Sequence, residues 1–110
     1  MVFQLDLSNN LLCGVNRKRS GTYTAEGITA IANALRIHGA LTKLSLAENV
    51  LREEGTKAIC EALEQNTTLK ELDISCHHDE YRDYSNIGGS RGAKDVAKMV
   101  RVNRGLTEIE

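Results

Sequence analysis

Apolar residues along this chain switch between two spacings, and the switch recurs. Leu41, Leu44 and Leu46 occupy the first, fourth and sixth places of a run that reaches Asn49, and Leu69, Leu72 and Ile74 repeat that register 28 residues on. An earlier copy holds Val2, Leu5, Leu7, Asn10 and Leu12, and Leu106 with Ile109 begins a fourth. Behind each run the spacing lengthens to three or four residues. The landmarks are Gly27, Ile31, Leu35 and His38, then Gly55, Ile59, Leu63 and Asn66, then Gly92, Val96, Val100 and Asn103. Alternation predicts a short strand and the longer spacing a helix, so each copy reads as strand, then helix. The copies span about residues 2–40, 41–68 and 69–105, with a partial one at 106–110, in one domain over 1–110.

Such a unit cannot close its own core. Residues at the first, fourth and sixth places point inward from a short parallel strand, the helix leucines meet them, and stacked neighbours bury the strip continuously. Asparagine at the ninth place (Asn10, Asn49) is expected to bond free backbone groups of the turn and of the neighbouring unit. The third copy puts His77 at the ninth place. A neutral imidazole makes one donor and one acceptor contact, so the ladder is expected to weaken at that rung.

Composition agrees with a stacked array. With one Phe, three Tyr and no Trp, the chain lacks the aromatics that a single central core usually recruits. A net charge of −1 gives no global electrostatic case for nucleic acid or an anionic membrane. No apolar run is long enough to span a bilayer, and no charged-then-apolar leader opens the chain. Cys13, Cys60 and Cys76 are odd in number and lack CxxC spacing, which predicts free thiols in a cytoplasmic or nuclear setting.

The register LxxLxLxxN followed by a helix resembles the leucine-rich repeats of the ribonuclease-inhibitor class. That class includes the repeat regions of NOD-like receptors, the Ran GTPase activators and the C-terminal domain of tropomodulins. The resemblance covers nearly the whole chain except two inserts. It implies an α/β fold: a right-handed solenoid with a short parallel sheet on the concave face and helices on the convex face. It also implies a scaffold that binds another protein rather than an enzyme, with no catalytic residue, metal or cofactor. The alternatives are a GTPase-activating accessory domain and an actin-capping, tropomodulin-like domain.

Function in such an array belongs where the copies disagree. Val2 to Leu41 is 39 residues and Leu69 to Leu106 is 37, both longer than the period of 28. Both inserts, at about 13–23 and 79–89, fall between strand and helix, on one edge of the array. They are expected to approach each other over the plain second repeat. The first offers Arg17, Lys18, Arg19 and Tyr23, and the second Tyr81, Arg82 and Tyr84. Tyrosine and arginine are favoured anchors at protein interfaces. The exposed strand positions form a second candidate surface: Gln4, Asp6, Ser8 and Asn9, then Lys43, Ser45, Ala47 and Glu48, then Glu71, Asp73, Ser75 and Cys76, with Glu108 and Glu110 last. Acids outnumber bases, so Lys43, Glu48, Glu71 and Asp73 are expected to face a protein partner with a basic surface.

Other chemistry is weaker. Cys76-His77-His78-Asp79-Glu80 contains metal-ligand types, but no second ligand pair stands at metal spacing farther along. Around Gly88-Gly89-Ser90-Arg91-Gly92 the phosphate-loop order of Lys and Ser/Thr is missing. The glycines and Ser90 are read as a turn and N-cap before a helix over Ala93–Val102, with Thr24 capping the first helix. Cys13 and Cys60 are placed at the loop and helix edge. Neither end carries a polar cap, so the chain is expected to be a segment of a longer protein or to self-associate.

Overall fold

The structure is a computed structural model, and it describes residues 4–15, 21–76 and 86–110. Strand and helix alternate through the chain: β1 (Gln4–Asp6), α1 (Glu26–Ile37), β2 (Lys43–Ser45), α2 (Arg52–Gln65), β3 (Glu71–Asp73), α3 (Gly89–Val102) and β4 (Glu108–Ile109). The fold is α/β, with a four-stranded sheet in the order β1-β2-β3-β4 and every pairing parallel. Leu5, Leu44, Leu72 and Ile109 are aligned across the four strands. Leu44 and Leu72 are buried in one core with Ile28 and Leu35 of α1, Ile59 and Leu63 of α2, and Met99 of α3. That shared core puts the helices on one face of the sheet, where α2 packs between α1 and α3.

Asparagine ladders seal the turns. Asn49 Nδ2 donates to Leu7 O at 2.9 Å and to Leu46 O at 3.1 Å, while Asn49 Oδ1 accepts Asn10 N–H at 3.1 Å. The third rung is Asn86, which corrects the assignment of that rung to His77. Asn86 Nδ2 donates to Leu46 O and Ile74 O, both at 3.0 Å, and Asn86 Oδ1 accepts the N–H groups of Asn49 and Leu51, both at 3.1 Å. The second insert therefore enters before the ninth-place asparagine, ahead of the boundary at 79–89. His77 itself lies outside the described residues. A buried amide with two donors and two lone pairs satisfies four backbone groups here, which an imidazole cannot do.

A second ladder closes the helix C-termini. Asn66 Nδ2 donates to Leu35 O and His38 O, and Asn103 Nδ2 donates to Leu63 O and Asn66 O. Each of these asparagines also accepts two N–H groups from the chain leading to the next strand. Orphan carbonyls at the ends of α1 and α2 are thus bonded by the asparagine that follows the next helix.

Three local expectations change. α3 begins at Gly89 after Gly88 at φ 84, so Ser90 lies within the first turn and is not the cap. Thr24 Oγ1 accepts Glu26 N–H at 3.2 Å, one residue ahead of the N-cap position at Ala25. Cys13 and Cys60 are members of the main core rather than edge residues.

Candidate protein-interaction face

The sheet face opposite the helices is built by alternation. In β2 and β3 the central leucine points into the core, so its neighbours project the other way. Two rows of side chains result: Gln4, Lys43, Glu71 and Glu108 in one, and Asp6, Ser45 and Asp73 in the other. Adjacent strands lie about 4.8 Å apart, so beyond the Gln4 amide the rows present a charge or hydroxyl at each such step. Short turns hold the strand ends. Ser8 N–H donates to Asp6 Oδ1 at 2.9 Å, and Ser75 N–H donates to Asp73 Oδ1 at 3.0 Å. The Ser8 side chain and backbone N–H hold the Asp6 carboxyl below its ordinary value.

All of these residues except Gln4 line a groove of about 430 Å³. Its described lining contributes six carboxylates (Asp6, Glu48, Glu71, Asp73, Glu108, Glu110) and one ammonium, Lys43. Lys43 Nζ pairs with Glu71 Oε2 at 3.3 Å, with both side chains well exposed. The groove therefore stays strongly negative although the whole chain is nearly neutral.

Lys43, Glu48, Glu71 and Asp73, singled out from the sequence, come together in this groove. Tyr23 does not join them. Its hydroxyl donates to Leu51 O and accepts Gly55 N–H at 3.2 Å, and the Arg52 guanidinium lies 4.7 Å from the ring centroid. Tyr23 thus ties the first insert to the first turn of α2. Burial, reinforced by nearby Cys13, pushes its phenol up to about 12. Val15 and Val50 form a small buried cluster against which Tyr23 and Cys76 pack. Cys76 precedes the second insert, most of which lies outside the described residues. Arg17, Lys18, Arg19, Tyr81, Arg82 and Tyr84 lie outside the described residues.

Metal ligation finds no geometry among the described residues, where no three His, Cys, Asp or Glu side chains gather suitably. His77, His78, Asp79 and Glu80 fall outside them. Cys76 is half-buried at the groove rim. Among the described residues no helix is long and apolar enough to cross a membrane. The helix-end ladder was missed in the sequence, although the matched places of His38, Asn66 and Asn103 carried its signal.

No protein-family profile matches the chain. Among curated proteins, the chain is similar to Leiomodin-2 of Gallus gallus, with 29% identity over 80 residues. The match covers 73% of this chain and 13% of that relative. The chain thus corresponds to a small part of the relative's length.

Proposed function

We propose that this chain is a short leucine-rich-repeat solenoid of the ribonuclease-inhibitor type that binds a partner protein through its concave strand face. It acts as a scaffold rather than an enzyme, in a cytoplasmic or nuclear setting. The observation that carries this reading is the groove, with six carboxylates against one ammonium across four parallel strands. A basic protein surface is the complement. Charges in a concave face raise the rate of encounter and align the partner, an effect that salt weakens.

Charge reversal tests it. In the variant Asp73→Lys with Glu108→Lys, affinity for an arginine-rich probe peptide should fall by about five- to thirtyfold at low salt, given roughly 1–2 kcal/mol of lost and reversed contacts. Reversing Glu61 and Glu64 on α2 should leave binding unchanged. Equal losses in both variants would reduce the groove to general acidity.

A second reading, the actin-capping, tropomodulin-like domain, draws support from the similarity to Leiomodin-2. That similarity favours it over the GTPase-activating alternative. Filament-end capping by the wild-type chain, lost in the same groove variant, would join the two readings. Capping that survives in the variant would move the actin contact elsewhere on the chain.

A further inference from the structure

One set of helix places faces away from the core in every repeat. Counted from the matched landmarks Gly27, Gly55 and Gly92, these places hold Glu26, Thr29, Asn33 and Arg36 in α1. They hold Glu54, Lys57, Glu61 and Glu64 in α2, and Arg91, Lys94, Lys98 and Arg101 in α3. Steps of three and four residues make them a single stripe down each helix. α2 has a helix packed on each side, yet its Glu54, Lys57 and Glu61 are exposed. The stripe is therefore open to solvent within the array, and its exposure on α3 does not come from α3 being the last helix.

The fold asks for no particular charge at these places, since α1 mixes them, α2 has three acids of four, and α3 has four cations of four. All four α3 cations are exposed. Asp95, the only acid of α3, lies off the stripe, half-buried and close enough to Cys60 of α2 to raise its thiol. Two of the cations have loose partners on α2. Arg91 Nη1 lies 3.6 Å from Glu53 Oε2 and Lys98 Nζ 3.9 Å from Glu64 Oε1, and these cationic side chains are 77% and 66% exposed. Such exposed pairs contribute little and leave both cations able to turn outward. Lys94 and Arg101 have no ion pair among the described residues.

We infer that this stripe docks an acidic α-helical segment of a partner protein, laid along the outer side of α3. Charge complementarity sets the sign of the partner, and the neighbouring helix sets its shape. Packed helix axes lie about 8–10 Å apart, so a broad anionic surface over α3 would also meet the carboxylates of α2. That penalises a membrane or a nucleic-acid duplex. A single helix, about 10–12 Å across with its side chains, is narrow enough to follow α3. Carboxylates three and four residues apart along it repeat the spacing of the four cations step for step, over roughly 15 Å.

Fluorescence anisotropy with a labelled helical peptide carrying Glu at places i, i+3, i+7 and i+10 tests this. Lys94→Glu with Arg101→Glu should keep a native far-ultraviolet spectrum and bind the peptide about tenfold more weakly at low salt. The neutral pair Lys94→Gln with Arg101→Gln should lose about threefold. An equal change of charge elsewhere, Arg36→Glu with Lys70→Glu, should leave affinity within about twofold. Equal losses in the two reversed variants would overturn the inference, as would a wild-type chain that does not bind the peptide at millimolar concentration. Equal binding of a peptide with the same composition but its glutamates scattered around the helix would overturn it too. So would tighter binding to phosphatidylserine vesicles or to a DNA duplex than to the peptide.

Discussion

Asn86 Oδ1 accepts the backbone N–H of Asn49 at 3.1 Å, so a residue just ahead of α3 seals the turn between β2 and α2. The same amide bonds two strand-end carbonyls and Leu51 N–H, all buried. Replacing Asn86 with Ala removes this partner from Ile74 O and from the N–H groups of Asn49 and Leu51, while Leu46 O keeps its bond from Asn49 Nδ2. A buried unsatisfied backbone group costs about 1–3 kcal/mol, so after partial relaxation Asn86→Ala should lose roughly 3 kcal/mol. Asn10→Ala, at the exposed first rung, should lose about 1 kcal/mol. Urea denaturation of both variants gives the ranking.

Gly92 is fixed by contact rather than by its dihedral angles. A Cβ there would stand 1.6 Å from Ile87 O, a backbone atom that cannot swing aside. Gly92→Ala should therefore destabilise by about 3 kcal/mol, at the upper end of overpacking costs. At Gly39 a Cβ meets nothing within 4 Å. Gly39→Ala should leave the thermal midpoint nearly unchanged.

Alkaline pH should weaken the fold. Burial, with Asp95 and other carboxylates adding to it, pushes the Cys60 thiol up to about 12 from 9.0, and the Tyr23 phenol rises to about 12 from 10.0. The native state then keeps protons that the unfolded chain releases, so between those values the folded form binds more protons. Stability is fully present below about pH 9 and falls as pH rises toward about 12. A Cys60→Ala, Tyr23→Phe double variant should show a flatter decline across that window in urea midpoints.

Thiol labelling reports the same burial. Cys13 and Cys60 are buried, and burial pushes both thiols up, whereas Cys76 is half-exposed. The thiolate is the reacting form. A disulfide reagent under native conditions should modify Cys76 first, and the other two only at the rate of opening. Three equal rates would contradict the placement of Cys13 and Cys60 in the core.

The strand–helix order was legible because LxxLxL and the helical spacing are forced by burial. Leu44, Leu72, Ile59 and Leu63 stand where the pattern put them. The groove was legible for the same reason, since alternation alone places Lys43, Glu71 and Asp73 on the opposite face. The insert boundaries were not. Counting nine places from Leu69 reaches His77, and nothing in a linear count shows that the turn can be closed nine residues later by Asn86. Tyr23 reads as an interface anchor from its residue type. Only the fold brings Leu51 O and Gly55 N–H within reach of its hydroxyl.

The binding face itself is most directly tested by titrating the isotopically labelled chain with an arginine-rich peptide and following its backbone amides by nuclear magnetic resonance. The account predicts shifts concentrated at Asp6, Ser45, Asp73 and Glu108, diminishing as salt is raised. α2 supplies an internal comparison, because it is also acidic, at Glu53, Glu54, Glu61 and Glu64. Shifts concentrated on α2, or none at the strand residues, would contradict the assignment of the groove as the partner-binding face.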